Sequence, residues 1–251
     1  MSAPIEHATP RRFPWAALIL GIVGIAILVS LGTWQVERLA WKEGLLATID
    51  HRIHSAPRPL AGIERQFAET GDVEYGPVEA EGAFDHAGER HFLATYEGQS
   101  GFFVYTPLKL ADGRFVLVNR GFVPYDRKDP ATRAQGQIAG PVTITGLARN
   151  PLADKPSSMV PDNDPAKNIF YWKDRDAMGR SAGLDPALLV PFFIDANSVP
   201  NPGGLPVGGV TIVDLPNNHL QYAVTWYGLA AALAGVLGVW LWRRRAGVGN
   251  G

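Results

Sequence analysis

FPWAALILGIVGIAILVSLGTWQV, residues 13–36, contains no charged residue. As a helix, about 20 apolar residues are enough to cross the ~30 Å hydrocarbon core of a bilayer. A second uncharged run, LPNNHLQYAVTWYGLAAALAGVLGVWLW, fills residues 215–242. The two runs predict transmembrane helices, roughly Pro14–Val36 and Gln221–Trp242. Residues 37–214 lie between them and carry 18 Lys/Arg and 23 Asp/Glu, a net charge of −5. This middle segment reads as a polar, folded domain.

Basic residues set the expected orientation. Arg11 and Arg12 precede the first run, and Arg243, Arg244 and Arg245 follow the second. Such clusters stay on the cytoplasmic side. The expected topology has a cytoplasmic tail over 1–12, helices over 13–36 and 215–242, and a cytoplasmic basic tail over 243–251. Residues 37–214 would face outside, which is the periplasm if the membrane is a bacterial inner membrane. A rival reading cleaves the first run as a signal peptide after Ser30-Leu31-Gly32. The apolar run exceeds the ~7–15 residues of a signal core, and a helical pattern continues through WQVERLAWKEGLLATIDHRIH.

Composition excludes several function classes. The chain has 251 residues, 46 % hydrophobic and 19 % charged, and a formal net charge of −1. No basic excess points to nucleic acid. The absence of cysteine excludes disulfides, thiolate metal sites and cysteine catalysis.

Residues 37–54 extend the first helix, with Leu39, Leu46, Ile49 and Ile53 at helical spacing. Ala56-Pro57-Arg58-Pro59 ends it. The stretches VEAEGAF, RHFLATY, FFVYTPLKL, RFVLVNRGFVP, VTITGL and PFFIDA are β-branched and aromatic, with Gly, Pro and Asp between them. Asp112-Gly113 marks a hairpin turn. Residues 150–168 and Asn201–Gly209 read as loops. A helix is expected within 172–189, capped by Asp174 and stopped by Gly183. The fold class is therefore a membrane α+β protein. Two transmembrane helices flank one extracytoplasmic, mainly antiparallel β domain, barrel- or sandwich-like, with one or two helices.

Catalytic motifs are missing. The sequence holds no G-x-S-x-G elbow, P-loop or H-E-x-x-H. Gly203-Gly204 and Gly208-Gly209 lack a strand–helix setting and read as surface loop. His51 and His54 share a helical face without further ligands, and read as solvated. His86 and His91 flank Ala87-Gly88-Glu89 and read as residues at a hairpin tip.

The start of the second span differs. His219 sits where the helix enters the membrane, a costly place for an ionisable group. Tyr222 and Trp226 follow at i+3 and i+7 on the same stripe. Two readings stand. One is an axial ligand for a lipophilic porphyrin; the other is an interfacial aromatic belt. Because the spans run antiparallel, Trp34, Gln35 and Arg38 lie at about the depth of His219. Small residues would let the helices approach: Ala17, Gly21 and Gly24 on one, Gly228, Ala232 and Gly235 on the other. A haem there would face His219 and turn its propionates toward Arg38 or Lys42.

The chain resembles the surfeit locus protein 1 family, assembly factors of cytochrome c oxidase, from about Phe13 to Arg245. The resemblance rests on LGTWQVERLAWK, NRGFVP at 119–124, NIFYWKD at 168–174 and NNHLQYAVTWYGLA at 217–230. Phe122 stands where many members carry tryptophan. The resemblance implies two spans around one outside domain, in a membrane protein with no catalytic turnover; the short basic start, unlike an Arg- and Ser-rich presequence, points to a bacterial inner membrane. It implies binding of haem a and its delivery to oxidase subunit I, alongside the haem a synthesis machinery. It maps the family histidine onto His219, with Trp226 and Tyr227 in the same motif and Gly121 as the glycine of NRG. Trp34, Gln35 and Arg38 join the expected haem site by their depth. A haem-free scaffold for oxidase subunits is the alternative, and a two-span sensor of a small ligand is a third reading. The sequence leaves self-association open.

Overall fold

A computed structural model describes residues 15–211 and 217–248. The tail with Arg11 and Arg12, and Leu215-Pro216 at the head of the second run, lie outside the described residues. The chain divides into two compact units, one of residues 1–47 with 214–251 and one of residues 48–213.

The first unit is a pair of helices. The helix α1 spans Trp15–Ile53 as one continuous element, and its last turns belong to the second unit. It runs unbroken through Ser30-Leu31-Gly32, joining the apolar run to the polar extension. Both α1 and the C-terminal helix, His219–Val248, are long and apolar enough to cross a membrane. Their apolar side chains are not a protein core: Leu20 is 72 % exposed and Val236 66 %. A helix that shows apolar surface on most sides is suited to lipid.

The second unit is built on one mixed sheet. After α1 come β1 (Arg58–Pro59) and α2 (Leu60–Thr70), then β2 (Gly76–Phe84), β3 (Arg90–Tyr96), β4 (Gln99–Lys109) and β5 (Phe115–Pro124). There follow β6 (Pro141–Arg149), α3 (Arg175–Ser181) and β7 (Leu189–Ala196), and the C-terminal helix of the first unit is α4. The strand order is β1-β2-β6-β7-β5-β4-β3, and β2 also pairs with β4. Those pairings close β2, β6, β7, β5 and β4 into a barrel-like ring. Closure is tight at Gly82, where a Cβ would lie 2.4 Å from the Lys109 carbonyl oxygen.

The six strands expected from residue type are present as β2 to β7. The sheet differs from an antiparallel barrel in two places: β1 pairs β2 and β5 pairs β7 in parallel. The parallel pair follows from a crossover, because β6 and α3 intervene between β5 and β7 in the chain. Its strands are buried on both faces. Val116 and Val118 enter one apolar cluster and Leu117 another; Val190, Phe192 and Ile194 enter the first while Leu189 and Phe193 enter the second. Two covered faces explain why FVLV and LVPFFI read as continuous apolar runs rather than alternating ones.

Helix α2 follows Pro59, in a stretch to which the residue pattern assigns no element of its own. Ile63 is fully buried in the first cluster, with Leu60 and Phe67 packed against it. These three recur at i, i+3 and i+7, one helical face. The expected α3 forms, and the Asp174 carboxylate caps it by accepting from Ala177 N at 2.9 Å. Residues 150–168 contain no α-helix or strand, only a short 3₁₀ turn at Pro165–Lys167.

Candidate functional site

In the helix pair, small residues of α1 seat large ones of α4. A Cβ on Gly21 would meet Leu237 at 2.4 Å, and one on Gly32 would meet the Tyr227 ring at 2.9 Å. Leu233 lies 3.1 Å from the Cβ position of Gly24. The matching stripe expected on α4 is different. Gly228 and Gly235 have nothing within 4 Å, and Ala232 is exposed. The residues of α4 that are buried are Ala223 and Ala230, so the contact face is rotated from the stripe of Gly228, Ala232 and Gly235. Without a hydrophobic drive between helices in lipid, close packing of this kind holds a pair together.

Polar contacts cluster at the end of the pair that holds His219. Thr33 Oγ1 donates to the Val29 carbonyl at 3.0 Å, which uses its only proton. It therefore accepts from the Tyr227 hydroxyl, 3.1 Å away. Half a turn further along α1, Gln35 is buried at 9 % exposure, and its Oε1 lies 2.7 Å from His219 Nδ1. An amide oxygen only accepts, so Nδ1 carries the imidazole proton. Nε2 is left with its lone pair, and no hydrogen bond reaches it among the described residues. Asn217 Oδ1 accepts from the backbone N of His219 at 3.5 Å, at the start of α4.

The other residues expected at this site are spread around the two helices. Trp34 is 54 % exposed, and no hydrogen bond joins it to His219 among the described residues. It adjoins Gln35 in sequence, but one residue is ~100° of helix rotation. Tyr222 is also mostly exposed, and Trp226 is half-buried. Arg38 stacks on its own helix, with Cζ 3.9 Å from the centre of the Trp41 ring.

The residues present are compatible with a haem, for which His219 would offer Nε2 to the iron. An imidazole with one nitrogen held by an acceptor and the other free is the arrangement found at metal-bound histidines. Tyr227 and Trp226 on the same helix add aromatic surface. Elsewhere no group of three or more His, Asp or Glu could hold a metal among the described residues. His51, in the last turn of α1, and His54, just past its end, are exposed, with His54 Nδ1 2.9 Å from the Asp50 carbonyl oxygen.

His86 and His91 are not at a hairpin tip. β2 and β3 do not pair, and a 3₁₀ turn over His86–Gly88 links them. His91 is buried, and its Nε2 donates to Glu89 Oε1 at 2.8 Å. Arg133 forms a bidentate ion pair with the same carboxylate. Burial pushes the Glu89 carboxyl up, but the hydrogen bonds from His91 and Arg133 outweigh it and hold it below the usual carboxylate range. Residue spacing gave no sign of this buried triad, because Arg133 is 44 positions from Glu89.

Comparison with known proteins bears on the whole chain. The family model described as the SURF1 family matches residues 22–231. Human surfeit locus protein 1 is 38 % identical over 235 residues, covering 87 % of this chain and 74 % of that protein. The rat protein of the same name is 39 % identical over 237 residues, 88 % of this chain and 72 % of its own. A SURF1-like protein of Monosiga brevicollis is 35 % identical over 246 residues, 93 % of this chain and 88 % of its own. The match takes in α1 from its third turn, the entire sheet unit and the first half of α4, and the chain belongs to the SURF1 family.

Proposed function

We propose that this protein is a two-pass inner-membrane assembly factor for haem–copper cytochrome c oxidase, which binds haem a and assists its insertion into subunit I. In this reading both termini face the cytoplasm, residues 37–214 face the periplasm, and the protein works beside the haem a synthesis machinery without catalytic turnover. Family membership supports the oxidase role. The observation that carries the haem role is the hydrogen bond between Gln35 Oε1 and His219 Nδ1.

That bond does two things. It fixes the plane of the imidazole ring, and it directs the lone pair to Nε2, the nitrogen available to an iron. An acceptor on Nδ1 also strengthens Nε2 as a donor. Trp226, Tyr227, Tyr222 and Trp34 offer aromatic surface at the same end of the helices, and exposed aromatic faces there suit a flat, lipophilic macrocycle. Arg38 is exposed and supplies a cation for propionates once its guanidinium leaves Trp41. The bound group would bring a redox-active iron, carried here as cargo.

The test is an absorption spectrum of the detergent-purified protein, made in a host that synthesises haem a, beside His219→Ala. A haem a spectrum that is lost or shifted in the variant supports the reading. Retention unchanged moves the ligand away from His219. No haem in either protein, despite haem a in the host membranes, favours a haem-free scaffold for oxidase subunits.

A further inference from the structure

Arg120 is the largest fully buried side chain among the described residues, 2 % exposed. It lies on β5, in the sheet unit. Its Nη2 donates to the Gly136 carbonyl and to Asn201 Oδ1 at 2.9 Å. Its Cζ is 4.7 Å from the centre of the Phe84 ring. Its Nη1 is buried and has no hydrogen-bond partner. No carboxylate forms an ion pair with it among the described residues. Burial pulls its pKa down to about 10, so it is still a cation at neutral pH. The nearest charges, Glu89 and Arg133, act on it in opposite directions and pair with each other. A buried cation with only neutral partners and an orphaned N–H is costly, and buried charges are ordinarily paired.

Arg120 also lines a cavity of about 210 Å³. Phe84, Val142 and Ile144 give it apolar walls, and Thr145, Asn197 and Asn201 give it neutral polar ones. No Asp, Glu or Lys lines it, so its one charge is positive. The volume is below the ~300 Å³ at which drug-sized pockets begin.

We infer that this cavity binds a small carboxylate with a short apolar tail, the carboxylate pairing with Arg120 and the tail lying on Phe84, Val142 and Ile144. A single guanidinium matches the charge of one carboxylate, and forked N–H groups match its geometry. A phosphate would bring a second charge and a third oxygen, for which the walls offer no further cation. The segment that holds the site is fixed to the sheet. Phe122 and Val207 exchange backbone hydrogen bonds of 2.9 and 2.8 Å, and Asn201 Nδ2 donates to the Pro206 carbonyl.

The test is saturation-transfer NMR on the full-length protein in detergent, titrated with butyrate, with butyramide as the uncharged molecule of the same shape. Butyrate is expected to saturate, and butyramide to bind at least about tenfold more weakly, the effect of losing one charged contact. Val199 lines the cavity and is 67 % exposed, so Val199→Asp adds a like charge at the rim without touching the core. That variant is expected to weaken butyrate about tenfold with an unchanged melting temperature, and Arg120→Gln to abolish binding. If Arg120→Gln does not fold, the other two comparisons decide. The inference is overturned if butyrate fails to bind at millimolar concentration, if butyramide binds as well as butyrate, or if Val199→Asp binds butyrate like the parent.

Discussion

Side-chain hydrogen bonds between α1 and α4 join neutral groups, Thr33 to Tyr227 and Gln35 to His219, on helices otherwise packed glycine against leucine and tyrosine. In the sheet unit the buried polar groups include charged ones, beside the neutral Thr106 and Asn119. The side chains of Glu89 and Arg133 are at most 2 % exposed, and Arg149 bridges Glu74 and Asp195. The difference follows from what each region has for surroundings. A charge in hydrocarbon has nowhere to relax, so the helix pair keeps to amides, hydroxyls and one imidazole. The sheet unit closes a ring around its core and holds ion pairs there, with Arg120 as a buried ion that has only neutral partners. Cutting a contact should therefore cost much in the sheet unit and little between the helices.

The largest loss is expected at Gly121. Its φ is +122°, and a Cβ there would lie 1.9 Å from the Val207 carbonyl oxygen. Gly121→Val combines left-handed strain with a backbone clash, at a cost of at least roughly 3 kcal/mol. Thermal unfolding should show the sheet unit melting lower by roughly 6–12 °C, with the helical signal of α1 and α4 retained. Equal losses in both would break the contrast between the two units.

Arg133→Met comes close behind. It leaves the Glu89 carboxylate buried beside His91 alone, a change that costs about 3–5 kcal/mol at other buried pairs. Adding Glu89→Gln to that variant should restore part of the loss, because no unpaired charge then remains. The pH dependence carries the same sign. Glu89 titrates below its ordinary value of roughly 4.3, so its stabilising effect is complete above that value and is lost as pH falls through the lower, folded one. The parent should therefore lose stability below about pH 4 more steeply than Glu89→Gln, as read from urea midpoints.

Short-range pattern made much of this molecule legible in the sequence. The uncharged runs marked both long helices, and β-branched stretches bounded by Gly and Pro marked β2 to β7. Helix α2 went unmarked: Leu60, Ile63 and Phe67 hold helical spacing, but LAGIERQFAET follows Pro57 and Pro59 and has no side-chain cap to signal its start. The parallel β5–β7 pair was not legible either, because it depends on which strand a crossover returns to. In the helix pair, depth could be counted from the ends of the runs, and that placed Gln35 level with His219. Rotation could not be counted. Trp34 was grouped with Gln35 though it lies on another face, and the stripe of Gly228, Ala232 and Gly235 was turned toward α1. The Glu89–Arg133 pair and the buried Arg120 belong to neither pattern, since tertiary closure alone brings such residues together.

The smallest effects on stability, and the sharpest on function, are expected between the helices. Gln35→Leu and Thr33→Val each remove one neutral hydrogen bond, and bonds of this kind within membranes are worth about 0.6 kcal/mol on average. Both variants should resist denaturing detergent almost as well as the parent. Their haem behaviour should part. Without Gln35 Oε1, His219 loses the group that holds its proton on Nδ1, and outer partners of metal-bound histidines are worth roughly 10–100-fold in affinity. Gln35→Leu should thus lower haem a retention by about that factor and shift the absorption spectrum, while Thr33→Val leaves both unchanged. Glutamate at position 35 keeps an acceptor facing Nδ1, so Gln35→Glu should retain haem where Gln35→Leu does not. If Gln35→Leu instead keeps haem like the parent, the amide serves the packing of the helices, and the free lone pair on His219 Nε2 is not what selects the ligand.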